Sequence, residues 1–199
     1  MSRFGRSLAI VGAIIGLLSC DIFFAAKSGR YNPLDPENEF VEVFPVVVGE
    51  ANDSGWMDTG DFVATSSMSP QAAIVMRFNV GEIPDAFEQL YLRLYKSAAG
   101  PSGVAIRVHA ILQSRLPVDY ADTQSGPPEN YYYDWDTYEM HEVSEEAGYQ
   151  LIPLDKIVDE SKENIRYGII IFSESDYVEF QARDYPEPAC QPRLYVATK

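Results

Sequence analysis

The chain has 199 residues, 15 of them Lys or Arg against 30 Asp or Glu, for a formal charge of −15. So acidic a body repels phosphate backbones and anionic lipid headgroups, which argues against nucleic acid as a partner and against plain electrostatic adsorption to a membrane. The length is that of a single domain.

Arg3 and Arg6 head an uncharged apolar run, Leu8-Ala9-Ile10-Val11-Gly12-Ala13-Ile14-Ile15-Gly16-Leu17-Leu18, that ends before Asp21. A spanning helix needs roughly 20 apolar residues, so the layout is that of an export signal. Leu17-Leu18-Ser19-Cys20 resembles a bacterial lipobox. That resemblance implies cleavage before Cys20 and a covalent diacylglycerol on its thiol, since a hydroxyl is a far weaker nucleophile at neutral pH. Each buried methylene adds about 0.8 kcal/mol, so several acyl chains anchor firmly. The expected parts are a lipoprotein signal peptide over 1–19, a flexible tether over 20–39 and a domain over 40–199. Loss of Arg3 and Arg6 leaves 13 basic against 30 acidic residues, a charge of −17. The expected location is a bacterial cell envelope, on a lipid bilayer reached through Cys20, with inner and outer membrane both open. An ordinary signal peptide with a chance cysteine and an uncleaved single-pass helix are the competing readings. With Cys20 lipidated, Cys190 has no disulfide partner and reads as a small buried residue rather than a nucleophile.

Residues 21–39 are largely polar, broken by Pro33 and Pro36 and without a packing period, as a tether is. From Phe40 the pattern turns to strands. Residues 40–48 are β-branched and aromatic, with Pro45 marking an edge or a bulge. Over 72–80, Ile74, Met76, Phe78 and Val80 alternate with Val75, Arg77 and Asn79. Over 87–96, Leu90, Leu92 and Leu94 alternate with Tyr91, Arg93 and Tyr95. Past the turn Gly100-Pro101-Ser102-Gly103, the next inward row is Val104, Ile106, Val108, Ala110 and Leu112. A period of two in successive segments is the signature of half-buried antiparallel sheet. Residues 114–146 are acidic and tyrosine-rich, with the run Tyr131-Tyr132-Tyr133-Asp134-Trp135-Asp136-Thr137-Tyr138, and form either a functional loop or short irregular strands. A strand over 149–153 leads to one or two helical turns with Leu154, Ile157 and Val158 inward. A buried strand over 167–172, an alternating one over 177–182 and a closing one over 193–197 follow. About eight to ten strands and one short helix predict an all-β sandwich of two sheets.

The ordered segments also resemble a family. Ala73-Ile74-Val75-Met76-Arg77-Phe78-Asn79-Val80-Gly81-Glu82-Ile83-Pro84 and Leu90-Tyr91-Leu92-Arg93-Leu94-Tyr95 are similar to the opening of DNRLRE-type domains. Leu154-Asp155-Lys156-Ile157-Val158 resembles their helical turn, and Asn164-Ile165-Arg166-Tyr167-Gly168-Ile169-Ile170-Ile171 the strand after it. Val178-Glu179-Phe180-Gln181-Ala182-Arg183-Asp184 and Pro192-Arg193-Leu194-Tyr195-Val196 resemble their close, with Ala182 and Asp184 where the family carries Ser and Glu. The resemblance implies an antiparallel jelly-roll and a role like that of a carbohydrate-binding module.

Sugar binding takes aromatic faces for the rings and a few charged or amide groups for the hydroxyls. Trp56, Tyr131, Tyr132, Tyr133, Trp135 and Tyr138 supply such faces in expected loops, with Asp134 and Asp136 between them; rings of this kind also serve simply to cover the end of a sandwich. Arg77, Arg93 and Arg107 sit opposite the leucine row and, with Arg183, form a basic groove for a uronate carboxylate if their strands are neighbours. Cross-strand pairing on a solvated sheet is the plainer fate. Asp53, Asp58 and Asp61 offer oxygen ligands for a structural calcium, though without EF-hand spacing, and an ordinary acidic loop reads the same way. His109 and His141 have no second ligand at metal spacing. Carboxylate pairs such as Glu174 with Asp176 arise by chance in so acidic a chain, and no nucleophile triad can be assembled. The expected function is a non-catalytic envelope lipoprotein that binds a polysaccharide or cell-envelope glycan, with no cofactor beyond the lipid. The alternative is a structural or protein-interaction lipoprotein.

Overall fold

A computed structural model describes residues 40–52, 55–57, 60–66, 71–98, 103–112, 132–159 and 161–198. The signal peptide, Cys20 and the tether lie outside them, as do Asp53, Asp58 and Tyr131. Among the described residues, twelve strands form two six-stranded antiparallel sheets. They are β1 (Phe40–Val43), β2 (Pro45–Asn52), β3 (Gly55–Met57), β4 (Phe62–Thr65), β5 (Ala72–Phe78), β6 (Phe87–Lys96), β7 (Ala105–Ala110), β8 (Glu139–Glu142), β9 (Gly148–Pro153), β10 (Ile169–Ser173), β11 (Val178–Gln181) and β12 (Arg193–Thr198).

The first sheet is built on β6. One edge of β6 pairs with β12 over most of its length and meets β11 at Lys96, while the other pairs with β9. β1 lies outside β12 and β4 outside β11. The second sheet runs β3-β2-β5-β10-β7-β8. From β4 to β7 the chain changes sheet at every step, as a jelly-roll does, so consecutive strands face each other across the core. Pro45 opens β2 beside a register shift against β5, the bulge expected of a proline that cannot donate to the ladder.

The inner rows meet as the alternation predicts. Ile74, Met76 and Phe78 of β5 face Leu90, Leu92 and Leu94 of β6 in one buried cluster. Each such side chain contributes roughly 1.5–3 kcal/mol on burial, so the three leucines of β6 weigh as much as the net stability of a typical domain, about 5–15 kcal/mol. The single α-helix among the described residues, α1 (Asp155–Val158), is one turn, and Leu154, Ile157 and Val158 close one end of the core. It stops at Asp159, whose left-handed φ of 43° turns its N–H back to the Asp155 carbonyl. Thr65 ties the layers together across the strand edge. Its hydroxyl donates to the Ala72 carbonyl at 2.9 Å and accepts from the Ser173 N–H at 3.0 Å.

Two expectations are corrected. Neither outer face is simply solvated: Val75, Ile170 and Ala73 are buried in a second cluster on the outside of the second sheet, and Tyr91 and Arg93 are buried on the outside of the first. Leu112, assigned to the inward row, is 54% exposed, because β7 ends at Ala110 and the alternation has no meaning beyond it.

Candidate functional site

On β7, Ile106 and Val108 point into the core, which sends Arg107 and His109 outward. On β10, Ile169 and Ile171 do the same for Ile170 and Phe172. Register sets Phe172 opposite Arg107 and Ile170 opposite His109, with Met140 of β8 on the far side of Arg107. Residues 132–138 run back over this row. Ile111 bridges to Tyr133, and the Leu112 N–H donates to the Tyr132 carbonyl at 2.7 Å.

The segment lays an aromatic platform on the sheet. Tyr133 packs on His109 and Phe172, with ring centroids 4.9 and 5.1 Å apart. Trp135 stacks on Phe172 at 5.9 Å with 21° between the planes, and meets Tyr133 at 4.9 Å. It is nonetheless 59% exposed. Asp134 fixes the turn that presents it. Its carboxylate accepts from the Asp136 N–H at 3.0 Å and from the Thr137 hydroxyl at 2.7 Å, and these bonds, the Thr137 one first, hold it below the usual carboxylate range.

His109 is wholly buried beneath these rings. Its Nδ1 donates to the Asp134 carbonyl at 2.8 Å, which leaves Nε2 as the unprotonated nitrogen. The Thr137 backbone also lies beside the ring, but Nε2 has no bond of hydrogen-bonding geometry. Burial pushes the imidazole below its ordinary pKa, so it is a neutral prop. Arg107 is likewise committed. Its guanidinium lies 4.7 Å over the Tyr138 ring, and it is gripped by Glu174 through Nη2 at 2.9 Å and through Nε.

The four arginines do not share a groove. Arg77 lies half-buried on β5, separated by β10 from Arg107 on β7. Arg93 belongs to the other sheet and is 6% exposed. It sits between the Tyr149 and Tyr195 rings, at 4.6 and 5.0 Å, and donates to the Tyr195 hydroxyl and the Ala189 carbonyl. Opposite it in register stands Arg193, held by Glu42 at 2.8 Å and by the Pro188 carbonyl. Burial first, then the neighbouring Arg193 cation, lowers the pKa of Arg93, against the pull of Tyr195. Arg183 donates to the Val46 carbonyl at 2.7 Å and pairs with Asp184 at 3.2 Å. Each of these three groups ties structure together.

Trp56 is not in a loop. It lies in β3, half-buried against the outer cluster of the second sheet, with its six-membered ring over Gly49 of β2. A Cβ at position 49 would fall 2.2 Å from Cζ2. Of the three aspartates considered for calcium, Asp61 is exposed and uses its carbonyl to accept from the Ala182 N–H; no cluster of three acidic, Cys or His ligands occurs among the described residues. Cys190 is buried, as its sequence context suggests, and its thiol is pushed up in pKa by burial. A separate cleft of about 600 Å³ opens beside α1, lined by Asp85, Phe87, Glu88, Leu90, Asp155 and Val158.

The chain matches no family model and no curated protein. A role for it therefore rests on this geometry and on the resemblances read from the sequence.

Of the residues singled out from sequence, the structure unites Tyr133, Trp135, Tyr138 and Arg107. It adds Phe172, His109, Met140 and Glu174. For Phe172 and His109 the signal lies in the period of two, since each takes the outward place beside a buried Ile or Val. It was masked because an outward position looks the same whether solvent or another segment covers it.

Proposed function

We propose that this chain is a non-catalytic lipoprotein of a bacterial envelope, anchored through a diacylglycerol on Cys20, whose sandwich binds carbohydrate on the aromatic platform. The observation that carries the reading is Trp135. A large indole is held rigidly on Phe172 by a hydrogen-bonded turn, yet most of it remains in water. Exposed apolar surface of this kind is normally removed from a monomer unless it meets something. A fixed, flat, half-wet ring suits the apolar side of a pyranose, because the ordering cost is already met before binding. The likeness to DNRLRE-type domains supports the same reading. Glu174 is engaged by Arg107 and Asp134 by its own turn, which supports the non-catalytic reading.

A second reading, a protein-interaction lipoprotein, is favoured by Tyr133 and Tyr138, whose rings are packed rather than displayed. Glycan-array screening followed by calorimetry separates the two. Carbohydrate binding at millimolar concentration or better, weakened about tenfold or more by Trp135→Ala, about 1.4 kcal/mol, is the expected result. No saccharide ligand at that concentration would overturn the glycan reading. Mass spectrometry of Cys20 from membranes checks the anchor, and an unmodified thiol would remove it.

A further inference from the structure

Resting on that reading, we infer that the platform selects amine-bearing saccharides, glucosamine-type oligomers with free ammonium groups, and rejects polyuronates. The exposed apolar side chains of this region, Leu112, Tyr132, Trp135 and Met140, are edged by carboxylates. Asp134 and Asp136 flank Trp135, Glu142 lies two residues beyond Met140 on the same side of β8, and Glu174 leaves the end of β10 beside Ala105. Against these four stands Arg107, and both Glu174 oxygens already face its guanidinium. His109 adds no charge, since it is buried and neutral.

A uronate arriving here would meet like charge from these carboxylates, and the guanidinium of Arg107 is already paired with Glu174. An ammonium meets two attractions that reinforce each other. The indole face draws a cation through its quadrupole, and the flanking carboxylates supply the counter-charge. Asp134 is already engaged by the bonds that hold the turn, which leaves Asp136 and Glu142 to meet the ammonium. The overall acidity of the chain adds long-range attraction of the same sign.

Calorimetry on the full chain with three oligomers of equal length tests this. The probes are a glucosamine oligomer, its N-acetylated counterpart and an oligouronate. The glucosamine oligomer should bind about tenfold more tightly than the acetylated one, and the oligouronate should not saturate. Raising salt from about 0.05 to about 0.5 M should narrow the gap, as should the double variant Asp136→Asn, Glu142→Gln. Trp135→Ala should abolish the preference, which separates the platform from diffuse attraction of a cation to an acidic protein. Equal binding of all three oligomers, or tighter uronate binding, with Trp135 still required, overturns the charge inference and leaves the platform standing. A preference that survives Trp135→Ala overturns it as well. No binding of any oligomer removes both this inference and the glycan reading beneath it.

Discussion

Whether Trp56 is a binding ring or a structural one can be decided at Gly49. In the structure a Cβ there would sit 2.2 and 2.5 Å from two ring carbons of Trp56 and 2.8 Å from the Met57 carbonyl. The ring must retreat by more than an ångström to reach ordinary contact. The carbonyl cannot follow, because the β2–β3 ladder pairs Glu50 with Met57 and Ala51 with Trp56. Overpacking of this sort costs roughly 1–3 kcal/mol. Expelling the ring instead forfeits about half of the roughly 200 Å² an indole buries, or about 2.5 kcal/mol at 25 cal/mol/Å²; the two escape routes cost about the same. Gly49→Ala should therefore lower the melting temperature by roughly 2–12 °C, at about 2–4 °C per kcal/mol for a domain of this size. The assay is a thermal melt with tryptophan emission, in a Trp135→Phe background so that Trp56 is the one remaining indole of the chain's two. Its emission should shift to the red. In a Trp56→Leu background the loss should shrink, because the ring clash is gone, but not vanish, because the Met57 carbonyl stays 2.8 Å from the added Cβ. An unchanged melt and emission for Gly49→Ala with Trp56 present would refute the packing described for this ring.

Acid should loosen the platform. The folded pKa of His109 lies below its ordinary 6.5, burial being the main cause, so the unfolded chain holds the extra proton. The stabilising contribution is fully present above about pH 6.5 and is lost as pH falls below it, at up to about 1.4 kcal/mol per pH unit until the folded pKa is reached. Melting temperatures from pH 8 down to 5 should fall, and His109→Phe, which keeps a ring between Tyr133 and Phe172, should flatten part of that slope; His141, also lowered by burial, accounts for a remainder. An unaltered slope in the variant would count against the buried neutral imidazole. Thr65→Val keeps the volume but strands the Ser173 N–H, while the Ala72 carbonyl keeps its bond from the Ser66 N–H, and should cost about 1–3 kcal/mol in chemical denaturation; a neutral result would show that the Thr65 hydroxyl does not join the sheets there.

The alternating strands were legible because their period shows on the chain itself. Leu90, Leu92 and Leu94 point inward as read, the helical turn after Leu154 buries the residues expected, and Pro45 stands at a bulge. The site was legible only in its ingredients. Trp135 and Tyr133 stood out as aromatics, but Phe172 did not, because within the buried run 169–173 an outward ring is indistinguishable from an inward one. Trp56 was misplaced because a three-residue strand is too short to show a period. The arginine groove failed for a different reason. β6 and β7 follow one another in sequence but belong to opposite sheets, so Arg93 and Arg107 share a phase without sharing a surface.

By itself, the sequence determined the all-β class, the inward rows and the acidic character of the chain, since each depends on residue type and spacing along one strand. Only the tertiary structure decided which strands are neighbours and what covers each outer face. Pairing is non-local: a strand's alternation says which residues share a side, and nothing in it says whose side lies opposite. That is why Arg93 is sealed between tyrosines while Trp135, on a loop, stands in water on a ring from β10.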